Sequence, residues 1–475
     1  MTPSKDAFPE PCPPAPTVPQ PSVLRPSSSP PLYNPHAAGS DSGEAEHWVA
    51  VPPERSPQPV RRFGTFTADL DALADWLLDC GITTVAMEST GIYWIPLYEV
   101  LEAAGFEVKL VNAREVKNLP GRKSDILDCQ WIQILHSYGL LRASFRPPEH
   151  ITALRSLVRH RDRLIAGRAV HIQHMQKALH LMNLQLDNVL ADITGVTGMR
   201  ILRAIVAVER DLDILASYRD PSCKNSPAVI RRSLEGNYRE EHLFQLKQSL
   251  DLYDYHSALI EECEREIAKK YQQLPAKAAP ELQPLPAQKK QKKSRKNQAA
   301  VDLRTELYKM AGVDLTAIDG CNAATIQTVL SEIGTDMRPW ATCGHFSSWL
   351  RLCPHNDISG GKVLKSRTQK TKNRASAALR LAAQGLTHSN SWLGAYYRRQ
   401  RARLGAPKAI TATAHKMARI IYNMLKYRRE FVDLGADHYE AQYRKRQTQG
   451  LIKKATSLGF RLVPADTPEP VAAAV

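Results

Sequence analysis

With 475 residues the chain is long enough for two or three domains, and 43% hydrophobic content is enough to fill their cores. A formal charge of +16 and a pI near 9.4 point to a polyanionic partner, with nucleic acid ahead of an acidic membrane surface. Eight scattered cysteines without a C-x-x-C pair argue against a zinc site or a disulfide framework, and no apolar run approaches about 18 residues, so no membrane span is expected.

The first residues carry Asp6, Glu10 and many prolines instead of a basic and then apolar leader, which reads as an unexported, cytoplasmic protein with reduced thiols. Residues 1–35 hold 12 of the 32 prolines, a composition that builds no core, and are expected as a disordered tail. From 36 to 148 the periods alternate. "HWVAVP", "VRRFGTF", "ITTVAME" and "FEVKLVN" have strand character, and 68–80, 93–104 and 125–139 have helical character. The expectation is an α/β domain that opens with a strand meander.

Its acids carry the chemistry. In "GRKSDILDCQ", Asp125 and Asp128 lie one helical turn apart behind Arg122 and Lys123. At that spacing the two carboxylates share a face and repel, so either water screens them or a metal uses them. Glu88 ends the strand "TTVAMEST", just before Gly91, and Asp41 in "HAAGSDSGEAEHWVAV" is the candidate from the first strand. Carboxylates at strand ends beside a helix-borne pair suit two-metal phosphodiester chemistry, in which oxygen ligands hold two Mg²⁺ ions about 4 Å apart. Each acid alone reads first as a surface residue, and it is their combination that points to this chemistry.

From 149 to 280 the sequence turns helical. Val158, Ile165, Ile172, Leu179 and Leu186 recur every seven residues, with Leu154, Met175 and Met182 in the complementary register and Arg161 and Arg168 interrupting it. Leu246, Tyr253, Ile260 and Ile267 repeat the interval before Tyr271. Two long helices joined by an irregular segment, 190–240, form either an antiparallel or dimerising coiled-coil arm or part of an ordinary bundle. The basic run "AQKKQKKSRKNQ" lies within a linker, 281–300, that is either merely solvated or holds phosphate.

A basic helical domain follows, 301–440, and then a C-terminal tail, 441–475, expected to be loose beyond about 460. Between Gly360 and Arg429 there are 17 Lys or Arg and no Asp or Glu. In "CPHNDISGGKVLKSRTQKTKNR", Ser359 precedes two glycines and Lys362, Lys365, Arg367, Lys370, Lys372 and Arg374. Glycines admit a phosphate closely and cations neutralise its charge, so Ser359 is either an attacking group or part of an exposed turn beside a nucleic-acid surface. His355 is near in sequence but is not clearly its base. "AIDGCNAATIQTVLSEIG", 317–334, reads as a helix-hairpin-helix unit that binds phosphate or simply packs. Tyr396 and Tyr397 beside Arg398, Arg399, Arg401 and Arg403 suit stacking on nucleic acid, or belong to a core stripe running through Ile420 and Leu425.

Asp41, Glu88, Asp125 and Asp128, in this order, resemble the DEDD tetrad of the RuvC-like transposases of the insertion sequence 110 family. "AMESTGIYWIPLYEVLEAAGFEVKLVNAREVKNLPGRKSDILDCQWIQILHSYGLLRASF" and "SSWLRLCPHNDISGGKVLKSRT" resemble its 1111 subgroup, over about 36–440. Ser40 and Ser42 depart from the apolar residues that usually flank the first aspartate in that family, a change that weakens a buried strand. The resemblance implies an RNase H/RuvC-like α/β domain followed by an all-α part, with the four acids holding Mg²⁺ and Ser359 forming a covalent link to DNA. It also implies donor and target DNA, a noncoding bridge RNA that pairs with both, and a homodimer or homotetramer in which acids of one subunit complete a site with the serine of another. Two other readings stay open: a structure-selective nuclease that uses the same acids with water, and a catalytically decayed nucleic-acid binder.

Overall fold

Ala37–Ser42 (β1) is the central strand of a five-stranded mixed sheet, although its sequence AAGSDS lacks the branched residues that favour strands. The computed structural model describes residues 32–89, 91–112, 125–280, 283–286, 297, 299 and 301–463. Arg122, Lys123, most of the proline-rich tail and most of the basic run therefore lie outside the described residues. The chain divides into two compact units, Met1–Arg146 and Pro147–Val475.

In the first unit β1 pairs antiparallel with β2 (His47–Ala50), which pairs antiparallel with β3 (Val60–Phe63). On its other side β1 pairs parallel with β4 (Thr84–Glu88), and β4 pairs parallel with β5 (Glu107–Val111). The spatial order is thus β3-β2-β1-β4-β5. Parallel neighbours need crossovers, and α1 (Thr67–Asp79) and α2 (Trp94–Ala103) lie in those connections. One face of the sheet, with Ala38, Val85, Met87 and Leu110, packs on Leu70, Leu73 and Leu77 of α1 and Leu97 and Leu101 of α2. The opposite face buries Ala86 and Val111 against Ile132 of α3 (Asp125–Ser137).

Ladders on both edges of β1 hold it in place despite its composition. Ser40 and Ser42 alternate with Asp41 and lie on the face of Ala38, where their hydroxyls are buried without a hydrogen-bond partner. The strand forms, and the two serines carry the cost expected of them.

The second unit begins with α4 (Glu149–Leu181). A run of short helices follows: α5 (Leu186–Val189), α6 (Val196–Val206), α7 (Leu212–Ser217) and α8 (Pro227–Ser233). The segment expected to be irregular therefore holds three short helices over about half of its length. Its Ile201, Leu202, Leu215 and Ile230 form one apolar cluster with Met175 and Leu179 of α4 and with Leu246 and Leu250 of α9 (Glu240–Gln273). The helices α4 and α9 run antiparallel, each roughly 50 Å long at about 1.5 Å per residue. Their heptad stripes face each other within one chain.

The interruptions to the heptads have partners. Arg161 is buried and its Nε and Nη2 donate to Glu264 Oε1 at 2.8 and 2.5 Å, with Nη2 also reaching the Asn297 carbonyl. Arg168 donates to Ser257 Oγ at 3.1 Å.

The remainder is mostly helical: α10 (Leu303–Ala311), α11 (Ala323–Ile333), α12 (Cys343–Trp349), α13 (Arg374–Gln384), α14 (Trp392–Leu404), α15 (Ala406–Tyr427) and α16 (Gly435–Ser457). One hairpin interrupts it, β6 (His355–Ser359) with β7 (Lys362–Arg367). Within 317–334 there is one α-helix, α11, preceded by a single 3-10 turn, Leu315–Ala317, instead of two helices. The first part of the expected C-terminal tail lies in α16, which is helical to Ser457. Arg159 grips Glu332 through Nε and Nη2 at 2.8 and 2.7 Å, and Arg374 pairs with Asp162, so ion pairs tie α4 to α11 and α13. No described helix is long and apolar enough to cross a membrane.

Burying a charge without its partner costs far more than the intact pair contributes. Glu264→Ala is therefore expected to lower stability by about 3 kcal/mol or more in urea titrations. The double variant Arg161→Leu, Glu264→Leu should recover most of that loss.

Candidate active site

The approach of α3 to β1 decides where the acids stand. A side chain at Gly39 would place its Cβ 2.2 Å from the Gln133 amide nitrogen and 2.5 Å from the Cys129 carbonyl, so only glycine lets the helix lie this close. Gln133 Nε2 donates to Ser137 Oγ at 2.9 Å and lies 3.4 Å from the Ala37 carbonyl oxygen, while Asn34 donates to the His136 and Ser137 carbonyls, which fixes the far end of the helix.

At the near end Asp125 is the first residue of α3 and Asp128 falls in the same turn. Asp41 projects from β1 on the Gly39 face. One carboxylate oxygen from each of Asp41, Asp125 and Asp128 lies within 4.8 Å of the others. The positive dipole end of the helix N-terminus offsets part of their repulsion. Such a donor set of carboxylate oxygens fits a hard divalent cation such as Mg²⁺.

Glu88 lies outside that group of three. It ends β4 one register step beyond the Ser40–Met87 pair, beside Asp41 and on the α3 face with Ala86, and is 7% exposed. The structure thus gathers three of the four expected acids and sets the fourth on the adjoining strand.

Reading of the sequence missed the groups that support this cluster. Cys129 is fully buried, and burial, assisted by the Asp41 and Asp128 charges, pushes its thiol up to about 12, so it is no nucleophile. Thr84 donates to the Glu107 carbonyl at 2.9 Å, which leaves its oxygen to accept from His136 Nε2 at 2.9 Å and assigns that tautomer. Burial, and then Lys109, brings His136 down to about 4. The only sequence signal for these residues was spacing: Cys129, Gln133 and His136 follow Asp125 at steps of three or four.

In the second unit Ser359 closes β6 and pairs with Lys362 across Gly360 and Gly361, whose φ values of 54° and 75° are those of a two-residue hairpin turn. Every residue of both strands is exposed. Lys362, Lys365, Arg367, Lys370 and Lys372 are exposed, with Lys362 opposite the serine and Arg367 at the open end of the hairpin. His355 pairs with Arg367 at the open end of the hairpin, about 13 Å along the strand from Ser359, too far to be its base. Arg374 is drawn instead toward Asp162 and Glu332. Tyr397 is buried and Tyr396 stacks on Trp392, with centroids 6.0 Å apart, so these tyrosines pack within the domain.

Residues 38–183 match the DEDD transposase model of the IS110 type, described as Transposase, and residues 313–398 match the Transposase IS116/IS110/IS902 family. Two segments of the chain are thus similar to IS110-family transposases. The first match contains Asp41, Glu88, Asp125 and Asp128, and the second contains Ser359. No curated protein matches the chain. A mixed α/β sheet followed by a mainly helical region is consistent with a RuvC-like transposase. The matched domains indicate an insertion-sequence transposase or recombinase, an enzyme with DNA substrates and a domain type that suggests a divalent metal.

Two outcomes follow from the packing beneath the acids. Gly39→Val should force α3 off β1, lowering the melting temperature of the full chain and abolishing any rise in it on adding Mg²⁺. His136 titrates near 6.5 when unfolded and about 4 when folded, so between those values the unfolded chain binds more protons. The stability it supports is complete above pH 6.5 and falls by on the order of 3 kcal/mol as the pH drops toward 4. Urea midpoints across that range should show the slope in the wild type and a shallower one in His136→Gln.

Proposed function

We propose that this transposase cleaves and rejoins DNA strands, with Asp41, Glu88, Asp125 and Asp128 holding Mg²⁺ and Ser359 as the nucleophile. The convergence of Asp41, Asp125 and Asp128 within 4.8 Å, inside a matched DEDD domain, is the observation that carries the reading. Bound there, Mg²⁺ supplies positive charge to the phosphoryl oxygens and to the leaving oxygen.

The chain's own residues account for the rest. Ser359 Oγ attacks phosphorus, its proton is lost to solvent, and the bond to one bridging oxygen breaks, so that the released strand end takes up a proton as a hydroxyl. The phosphoserine ester keeps the energy of the broken bond. Attack by a hydroxyl of another strand then forms a new phosphodiester and frees the serine. Lys362, Lys365, Arg367, Lys370 and Lys372 neutralise phosphates along the backbone without reading sequence. A noncoding bridge RNA selects donor and target by base pairing, and a homodimer or homotetramer supplies the several cleavage centres that strand exchange needs.

The test is a strand-exchange assay with the element's own DNA, its flanking noncoding RNA and Mg²⁺. Wild-type protein should trap a DNA strand that survives denaturant and is released by protease. Ser359→Ala deletes no charge and little volume, so it should bind nucleic acid normally, trap nothing and recombine nothing. Asp125→Asn and Asp128→Asn should each abolish recombination, and chelator should reproduce their effect. Cleavage and rejoining by Ser359→Ala at the wild-type rate would overturn the serine assignment in favour of water.

A further inference from the structure

Beyond residue 398, where the second matched segment ends, cations from three helices gather at a small aromatic cluster. Trp392 and Tyr396 of α14 stack on each other, and Tyr439 of α16 meets both edge-on, with centroids 5.5 and 6.1 Å away. Lys416 of α15 is half-buried and lays its ammonium 5.1 Å from the Trp392 centroid. Arg419 stands one turn farther along the same face of α15 and is exposed, as are Arg403 of α14 and Arg446 of α16.

These cations bear on one another with no acid between them. Burial lowers the Lys416 ammonium below its ordinary value, and the Arg419 and Arg446 charges lower it further. Burial lowers His415 too, with Arg419 and Lys416 adding to the effect. It raises the Tyr396 hydroxyl, a rise that Arg403 and Arg419 both oppose. Among the described residues none of Arg403, Lys416, Arg419 and Arg446 forms an ion pair, while Glu440 of α16 pairs with Arg399 instead. Arg403 and Arg446 donate only to neutral partners, Gln400 Oε1 at 3.0 Å and Gln442 Oε1 at 3.2 Å. Like charges partly withdrawn from water are unfavourable until an anion joins them.

The cluster adjoins the root of the Ser359 hairpin. Burial raises the Cys353 thiol and Arg419 opposes that rise, so the guanidinium is near a residue two places ahead of β6. At the same root Arg351 donates to Gln369, two places beyond β7.

We propose that Lys416 and Arg419, flanked by Arg403 and Arg446, hold backbone phosphates of DNA beside the root of the Ser359 hairpin. The proposal rests on the DNA partner of the function proposed above and is independent of the serine's chemistry. The Arg419 fork matches two phosphate oxygens at once, and the Lys416 ammonium adds a point charge. Trp392, Tyr396 and Tyr439 are committed to one another, so they wall the site and strengthen its field instead of stacking on bases. Such contacts position a strand without reading its sequence.

The full wild-type chain, in chelator so that no strand is cut, is titrated with a fluorescent DNA duplex of the element's end over a range of salt. Lys416→Gln and Arg419→Gln should each weaken binding and make the slope of log K against log salt shallower by about one, at an unchanged melting temperature. Lys416→Arg should keep the wild-type slope. Lys269→Gln, at an exposed cation of α9 paired with Glu266, should change nothing. An unchanged slope in either glutamine variant, or Lys416→Arg binding as poorly as Lys416→Gln, would overturn the assignment. Wild-type binding that ignores salt would overturn it together with the DNA partner. A serine that traps no strand would leave these slopes intact and the assignment standing.

Discussion

Everything in the first unit depends on how closely one helix can approach one strand. Across an ordinary residue the backbones of α3 and β1 would be pushed apart by a side chain, and at Gly39 they are not. That removal of a few atoms brings the first turn of α3 over Asp41. Three like charges then share a small volume, which is unfavourable for the metal-free fold and is tolerated because buried contacts farther along α3 (Cys129, Ile132, Gln133 and His136) hold the helix down. Stability is supplied at one end of the helix and spent in electrostatic strain at the other.

The second unit solves a different problem with charges. Its long helix pair must stay in register and its base must stay fixed to the domain that carries Ser359. Apolar heptads alone allow sliding by a repeat. Arg161 with Glu264 and Arg168 with Ser257 are satisfied in only one register of α4 on α9, while Arg159 and Arg374 with Glu332 and Asp162 fix α4 to α11 and α13. The positions that break the hydrophobic repeat are those that select a single alignment.

Much of this was legible in the residues because it rests on short-range periodicity. The strands at 47–50, 60–63, 84–88 and 107–111, the helices between them, and the pairing of Asp125 with Asp128 all follow from spacing two, three or four residues apart. β1 was the hard strand. Its small residues show no alternation, since both its faces are covered and position 39 admits nothing larger than glycine. The helices within 190–240 were obscured because their apolar residues answer to a cluster shared with both long helices. Tyr396 beside four arginines left a nucleic-acid face and a core stripe both open, and its ring lies on Trp392, four residues earlier on the same helix, as helical spacing allows. Local spacing could not reveal the support beneath the acids, where His136 meets Thr84 across 52 residues.

The hairpin that carries Ser359 has a consequence for timing. A two-stranded ribbon with every residue exposed has no core to hold it closed, and such ribbons are marginal alone in water. Exposed ladders of this kind are expected at the low end of the local unfolding free energies of a domain. Its amides should lose protection from solvent exchange long before those of α15. Under the function proposed above, a polyanion lying along the ribbon and pairing with its cations would order the serine, so that reactivity would be confined to chains already engaged with nucleic acid and the hydroxyl of idle protein would sit in a frayed ensemble.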